Sequence, residues 1–249
     1  MKTKTQLNEE IEKIPIFEMR ELATKSNDQF IEDAEHKGIC EISSSSILAM
    51  VTNGYKLVQF KDVYSPIMDE IPELEGYLKY HNGKGWLVIF PKEENYQIGE
   101  HSVGVILKNS VDKSSAINIE LCVKVGEYTI MLPDKKKMRT IHLGKAKELL
   151  KSYQSFIIDV KNEWVTILQK LQSKELDESE VDALLNELRL TKRVKAELKQ
   201  SLESYNLWVV FMGMIESFTK KVYRNPINQM QKLKRVAELC VDYAMLSKI

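Results

Sequence analysis

The spacing of hydrophobic residues changes at Gly144, and this change limits the folds that the chain can adopt. Before Gly144, short segments such as "SVGVILK" (102–108) and "AINIELCV" (116–123) have the length and composition of β-strands. After Gly144, apolar residues recur at helical spacing along one stripe: Ala146, Leu149, Leu150, Tyr153, Phe156, Ile157, Val160, Trp164, Ile167, Leu168 and Leu171. The sequence therefore predicts an α+β fold, a mostly antiparallel sheet with short helices followed by a C-terminal helical bundle.

The same patterns divide the chain into three predicted segments. Residues 1–37 contain two charged, sparsely apolar stretches separated by Pro15, which predicts an N-terminal helical arm. Residues 38–143 are predicted to form an α+β sheet domain, and residues 144–249 a helical region.

Several elements are predicted within the sheet domain. The stretch "SSSILAMVT" (44–52) is expected to be helical, "YKLVQF" (55–60) extended, and "KDVYSPIMDEI" (61–71) helical. Two strands follow, "EGYLKYH" and "GWLVIFP", joined by Asn82-Gly83-Lys84-Gly85. Asn and Gly tolerate positive φ, so this junction predicts a tight β-hairpin.

The helical region carries its own start and stop signals. Asp177 and Glu180 form a predicted capping box for a short helix through Leu188. A single apolar stripe then extends from Val194 to Val222, Asn225-Pro226 ends it, and a final helix follows. Trp164 and Trp208 lie on apolar stripes, so both are predicted to be core residues.

Composition excludes several classes of protein. A chain of 249 residues with 43% hydrophobic content can bury a substantial core. Its apolar runs are much shorter than the about 20 residues of a membrane span, and its first residues have no apolar signal core. Cys40, Cys122 and Cys240 form no C-x-x-C pair, which is typical of buried thiols. We expect a soluble, cytoplasmic protein with no membrane partner.

No catalytic motif is present. The four serines from Ser43 to Ser46 lack the G-x-S-x-G spacing, and the glycines of the hairpin lack phosphate-loop spacing. The histidines His36, His81, His101 and His142 are never four residues apart around a carboxylate. We therefore assign no catalytic residue, no metal site and no cofactor, and the sequence favours a protein that is not an enzyme.

Cations are concentrated in the later part of the chain. Residues 1–100 contain 11 Lys and Arg against 18 Asp and Glu, whereas the remaining residues contain 25 against 18. Two clusters are candidates for binding phosphates of single-stranded nucleic acid: Lys135, Lys136, Lys137 and Arg139 at a predicted hairpin tip, and Lys220, Lys221 and Arg224 beside Tyr223. The alternative interpretation is a solvated turn and the charged outer face of a helix pair.

The stretch "NSVDKSSA" (109–116) suggests a family. This chain resembles the phage/plasmid-like protein family, which carries a domain of unknown function and a pattern of roughly N-S-x-D-G-S-x-A before a strand. Asn109, Ser110, Asp112 and Ser114 stand at pattern positions, while Lys113 replaces the glycine. His142, Trp208 and Glu216 also align with family residues, and the resemblance extends from about Gly38 to Ala244.

This resemblance implies a role in mobile genetic elements rather than a specific activity. We expect an accessory protein that binds or anneals single-stranded nucleic acid and assembles as a homo-oligomer. The alternative is a non-enzymatic interaction protein that binds or inhibits a host factor, or that binds a phage protein. An enzyme built from Asp112, His142 and Glu216 would require these residues to converge in the fold.

Overall fold

The computed structural model describes residues 1–26, 29–44, 46–112, 117–132, 138–140, 163–188, 190–221 and 223–245. Antiparallel strands dominate the first part of the chain, and helices dominate the last part. The fold is α+β, as the change in hydrophobic spacing predicts.

Eleven strands occur in the described residues: β1 (Lys2–Thr3), β2 (Phe17–Ser26), β3 (Gln29–Glu41), β4 (Ile47–Thr52), β5 (Leu74–His81), β6 (Lys84–Pro91), β7 (Gln97–Ile98), β8 (His101–Ser110), β9 (Ile117–Val125), β10 (Tyr128–Met131) and β11 (Met138–Thr140). One sheet has the order β1-β5-β6-β8-β9-β10, with β7 paired to β8 and β11 paired to β9. A second sheet has the order β2-β3-β4. Every strand pair with a recorded register is antiparallel.

Seven helices occur in the described residues: α1 (Lys4–Glu12), α2 (Phe60–Asp69), α3 (163–173), α4 (Glu178–Glu187), α5 (Lys192–Ser201), α6 (Leu207–Lys220) and α7 (Pro226–Met245). A 3₁₀ turn, Glu94–Tyr96, precedes β7. No described helix combines the length and the hydropathy that crossing a bilayer requires.

The chain forms two compact units, and each is assembled from separate stretches. The first contains Met1–Lys92 and Val105–Ile119 together with residues 138–140. The second contains Glu93–Gly104, residues 120–132 and the helices from α3 onward. The units therefore do not coincide with the predicted segments 1–37, 38–143 and 144–249, because β8 and β9 each contribute residues to both.

The predicted N-terminal helical arm is correct only for α1. The Thr3 side chain caps this helix, and Leu7 and Ile11 are buried. Beyond it, the prediction of helix is wrong, because β2 and β3 form a long antiparallel pair that begins at Phe17 and Glu41. Their charged side chains are compatible with either structure, so cross-strand pairing decides between them.

The second wrong prediction is a helix over "SSSILAMVT". Residues Ile47–Thr52 form β4, which pairs with β3 from His36 to Cys40. Helical propensity favours Leu, Ala and Met, but the β-branched Ile47 and Val51 fit a strand, and Val51 is fully buried there. The stretch "YKLVQF" is also not extended as predicted, since residues 55–59 have no regular structure and α2 begins at Phe60.

The β5–β6 hairpin is confirmed. Asn82 and Gly83 have φ values of 44° and 71°, and β5 pairs with β6 from Leu74 to His81. Gly85 follows the turn at a point where α2 approaches the sheet closely. A Cβ at Gly85 would lie 2.6 Å from Phe60 Cε1, so only glycine fits this contact without displacement of Phe60.

The predicted capping box is also confirmed. The Asp177 carboxylate accepts a hydrogen bond from the Glu180 amide at 2.9 Å, and the Glu180 carboxylate accepts one from the Asp177 amide at 2.9 Å. The helix that follows, α4, ends at Glu187 and buries Val181, Leu184 and Leu185.

The predicted continuous stripe from Val194 to Val222 is wrong, because the chain leaves helical geometry between α5 and α6. Asn206 caps α6 by accepting a hydrogen bond from the Trp208 amide at 3.0 Å. The Asn206 amide group also donates to the carbonyl oxygen of Gln172 at 2.8 Å. This interruption is therefore held by contacts with residues distant in sequence, and helical spacing alone does not reveal them.

Candidate functional site

A cleft of about 500 Å³ opens between α5 and α6 in the second unit, beside β10. Its wall is largely apolar and aromatic and includes Tyr128, Leu198, Leu202, Trp208, Val209 and Met212. Its volume lies in the range of about 300 to 1,000 Å³ that is typical of ligand pockets.

Gly213 allows a close contact between α6 and Leu202 at the floor of the cleft. It lies in the middle of α6, where glycine is about 1 kcal/mol less favourable than alanine. A Cβ at this position would lie 3.1 Å from Leu202 Cδ2. A small residue in a helix interior therefore allows Leu202 and α6 to meet at the base of the cleft.

Trp208 is the largest side chain on the wall of the cleft. Asn206 fixes the first turn of α6, and the Trp208 ring packs against Phe211 with a centroid distance of 5.8 Å and an interplanar angle of 55°. Phe211 is fully buried, but Trp208 remains partly exposed. The tryptophan is therefore held by the core on one side and available to a ligand on the other.

This position corrects the prediction that both tryptophans are core residues. Trp164 is fully buried, and its ring centroid lies 6.3 Å from that of His101. Trp208 lines the cleft instead, because the break before α6 changes the direction of the chain just upstream of it.

The rim of the cleft carries more negative than positive charge. The lining residues include three carboxylates, Glu197, Glu203 and Glu216, and one ammonium group, Lys220. Glu216 pairs with Lys220 one helical turn away, and this hydrogen bond raises the pKa of Lys220. Glu197 pairs with Arg193 at 2.7 Å.

Tyr128 contributes a phenol to the same rim. Desolvation by burial raises the pKa of this group, and the hydrogen bond to Glu127 and the charge of Glu216 act in the same direction. The Tyr128 O–H donates a hydrogen bond to the Glu127 carboxylate, so the phenol oxygen can accept a hydrogen bond from a ligand in the cleft.

One cation of the predicted basic cluster, Lys220, is paired with a carboxylate, and binding of nucleic acid by the cluster remains a prediction. Lys220 pairs with Glu216, and Lys221 lies 5.8 Å from the centroid of the Tyr223 ring. Arg224 has no recorded ion pair within the described part of the chain. The neighbouring cations on α7 are also engaged: Lys232 with the Phe218 ring, Lys234 with Glu120 at 3.2 Å, and Arg235 with Glu187 at 3.6 Å.

The other predicted nucleic-acid residues are not tested by this geometry. Lys135, Lys136 and Lys137 lie outside the described residues. Arg139 belongs to β11, and its backbone is opposite Asn118 of β9. Phosphate binding by these cations remains a prediction.

The residues of the family pattern belong to the first unit and support its structure. Asn109 and Ser110 end β8 and are buried, with 3% and 5% exposure. The Val111 amide donates a hydrogen bond to the Gly83 carbonyl oxygen at 2.9 Å, and Asp112 lies 3.5 Å from Lys84. This stretch therefore fastens the end of β8 to the β5–β6 turn.

The remaining candidates of that pattern are not brought together in the described residues. Ser114 and His142 lie outside the described ranges. Asp112 belongs to the first unit and Glu216 to the second. An active site formed by Asp112, His142 and Glu216 therefore remains a prediction.

Metal ligands and reactive thiols provide no further site among the described residues. No group of three or more His, Cys, Asp or Glu side chains there is arranged to hold a metal ion. Cys40, Cys122 and Cys240 are free and buried. Burial raises the pKa of the Cys122 and Cys240 thiols well above their usual range, which keeps them protonated and unreactive.

The sequence contained a signal for the cleft that periodicity obscured. The stripe through Leu198, Leu202 and Trp208 includes residues that line the cleft, although apolar spacing of this kind predicts a core face. The polar residues Ser204 and Asn206 are typical of helix caps and mark the interruption between α5 and α6. Tyr128 comes from a distant strand, so only the fold places it beside these helices.

No protein-family model, curated protein or solved structure matches this chain.

Proposed function

We propose that this protein is a non-enzymatic interaction protein that binds an apolar, positively charged helix of a partner protein in the cleft beside Trp208. The observation that carries the proposal is a partly exposed tryptophan on an apolar wall with carboxylates at its rim. Tryptophan is enriched among the residues that dominate binding energy at protein interfaces.

The shape and chemistry of the wall favour a helix as the ligand. An amphipathic helix binds a groove by inserting apolar side chains that are three or four residues apart. Leu198, Leu202 and Met212 provide aliphatic and thioether surface for such side chains. Methionine adapts to differently shaped partners because its side chain is flexible and polarizable.

The charges on the rim of the cleft determine which charge the bound segment of the partner should carry. With Arg193, which pairs with Glu197, the rim has three carboxylates against two cations, and this excess of negative charge repels phosphate groups and attracts Lys or Arg side chains. Lys220 pairs with Glu216 and Arg193 pairs with Glu197, so among the described lining residues Glu203 is the carboxylate that no ion pair offsets. The cleft is thus better suited to a basic protein segment than to nucleic acid.

The resemblance to phage/plasmid-like proteins suggests the biological setting. In this proposal, the protein is a mobile-element accessory factor, and its partner is a host or phage protein with a basic amphipathic helix. A partner that loses the use of this helix would be inhibited.

A second candidate function is binding to single-stranded nucleic acid through Lys135, Lys136, Lys137 and Arg139. It is favoured by the surplus of cations after residue 100, where 25 Lys and Arg face 18 Asp and Glu.

The first experiment measures binding of a synthetic helical peptide with leucines on one face and lysines on the other. Fluorescence anisotropy of the labelled peptide should give a dissociation constant for the full-length protein. Trp208→Ala should weaken binding by about tenfold or more, since an interface tryptophan commonly contributes above about 1.4 kcal/mol.

A matched control is Trp86→Phe. Trp86 belongs to the first unit, is 7% exposed and packs under Lys108 with a distance of 3.8 Å from Nζ to the ring centroid. This change should leave peptide binding unaltered. Equal binding by the wild type and Trp208→Ala would refute the proposed site.

A further inference from the structure

The three-stranded sheet carries most of the exposed apolar surface of the described residues. Among the described residues, seven large hydrophobic side chains are exposed. Five of them lie on or next to this sheet: Ile16, Ile42, Ile47, Leu48 and Met50. Their exposed fractions run from 36% for Leu48 to 62% for Ile16. A concentration of exposed apolar side chains on one small sheet is typical of an interaction surface.

The two edges of this sheet differ in charge. The β2 edge carries Glu18, Arg20 and Glu21. Charged side chains of this kind protect edge strands from pairing with other chains. The β4 edge, "ILAMVT", contains no charged residue and no proline.

The backbone of β4 is available along one side. Within the described ranges, β4 pairs with β3 alone and is an edge of its sheet. The neighbouring turn supports the strand, because Leu48 lies against it: a Cβ at Gly83 would lie 2.4 Å from Leu48 Cδ2. The edge is thus positioned by the fold yet open to another strand.

We infer that β4 pairs with β4 of a second copy of this chain, which joins two three-stranded sheets into one six-stranded sheet. A second copy fits because a strand without charges places no like charges opposite each other when it pairs with itself. Such a two-fold pairing limits the assembly to a dimer. The backbone groups of each β4 strand bond to those of the other, so neither β4 edge remains open to a third chain.

Symmetry also restricts the register. Antiparallel partners that lie directly opposite share a face of the sheet. A two-fold axis perpendicular to the sheet therefore pairs odd-numbered residues with odd and even with even. Centred on Ala49, this register sets Ile47 opposite Val51 of the second copy and Leu48 opposite Met50 of the second copy. The pairing then continues the apolar faces of both sheets.

The test is the molar mass of the full-length protein, measured by sedimentation equilibrium over a range of concentrations. The wild type should show a monomer–dimer equilibrium. Met50→Lys should raise the dimer dissociation constant by about tenfold or more, because each dimer would hold two lysines at the paired edge. Ile16→Lys changes an equally exposed residue outside β4 and should have little effect.

Amide hydrogen exchange locates the interface independently. In the wild type, exchange in Ile47–Thr52 should slow as concentration rises, and this dependence should disappear in Met50→Lys. A monomer at every concentration would overturn the inference. A dimer that Ile16→Lys disrupts as strongly as Met50→Lys, or one without protection of β4, would also overturn it and would indicate docking through the sheet face or elsewhere.

This inference is independent of the cleft. The β4 edge lies in the first unit, whereas Trp208 and the rim carboxylates lie in the second. Met50→Lys should therefore leave binding of the basic peptide unchanged, and failure of one proposal would not imply failure of the other.

Discussion

Trp164 and Trp208 show how the same residue type at the same helical spacing reaches two environments. Both follow apolar stripes, and the sequence places both in the core. Trp164 is completely buried, whereas Trp208 lies on the wall of a cleft. The difference arises from the break between α5 and α6, where the Asn206 side chain donates to Gln172 in the last turn of α3 and to Glu175 in the connection that follows. Periodicity describes one helix face and contains no information on what packs against it.

The two tryptophans should therefore differ in their effect on stability. Trp164→Ala should lower the free energy of unfolding by about 3 to 5 kcal/mol, the usual cost of removing a large buried side chain. Trp208→Ala should cost less than about half of that, because the side chain is already partly exposed. Urea denaturation of both variants measures the difference, and equal losses would show that the cleft is closed in solution.

At the scale of elements, the sequence predicts best where the determinants are local. The β5–β6 hairpin depends on Asn82 and Gly83, and α4 depends on the capping box at Asp177, so both were found correctly. The sequence predicts a helical arm over residues 1–37 and a helix over residues 44–52, but β2, most of β3 and β4 lie in these ranges, because their strand character depends on pairing with one another. Among the residues of the cleft, the sequence predicts a role for Trp208, Glu216 and Lys220, but each in a different context.

The capping box supplies a prediction at this scale. Asp177→Ala should lower the free energy of unfolding by about 1 kcal/mol, because the Glu180 amide would lose its acceptor at the start of α4. Asp177→Asn should restore most of the loss, since asparagine caps helices about as well as aspartate. Thermal or urea denaturation distinguishes the two variants. An equal loss in both would assign the effect to charge rather than to capping.

For the whole molecule, zero net charge conceals an uneven distribution. The surplus of cations lies after residue 100, yet the described cations near Lys220 are largely paired with carboxylates or packed on aromatic rings. Ion pairing of this kind depends on the fold, so counting charges along the sequence overestimates how many cations are available to a polyanion. The cleft beside Trp208, by contrast, is rimmed by carboxylates.

The nucleic-acid prediction is tested separately from the cleft. If Lys135, Lys136 and Lys137 contact phosphates, their replacement by glutamate should weaken binding to single strands of every sequence and flatten its salt dependence. Filter binding at several salt concentrations measures both effects. Glu73 is an exposed residue of the first unit, and Glu73→Lys replaces a negative by a positive charge. This variant should not weaken binding. No salt-sensitive binding by the wild type would exclude this function.

The most direct test of the central claim is reversal of charge at the rim of the cleft. Glu203→Lys should weaken binding of the leucine–lysine peptide and strengthen binding of a matched leucine–glutamate peptide. The reason is that the net charge at the rim of the cleft attracts a peptide of opposite charge. Glu73→Lys carries the same change in net charge away from the cleft and should leave both affinities near those of the wild type. Anisotropy titrations of both peptides against the three proteins decide the question. A loss for the lysine peptide with a gain for the glutamate peptide, confined to Glu203→Lys, is the predicted result, and identical affinities across the three proteins would contradict the proposed function.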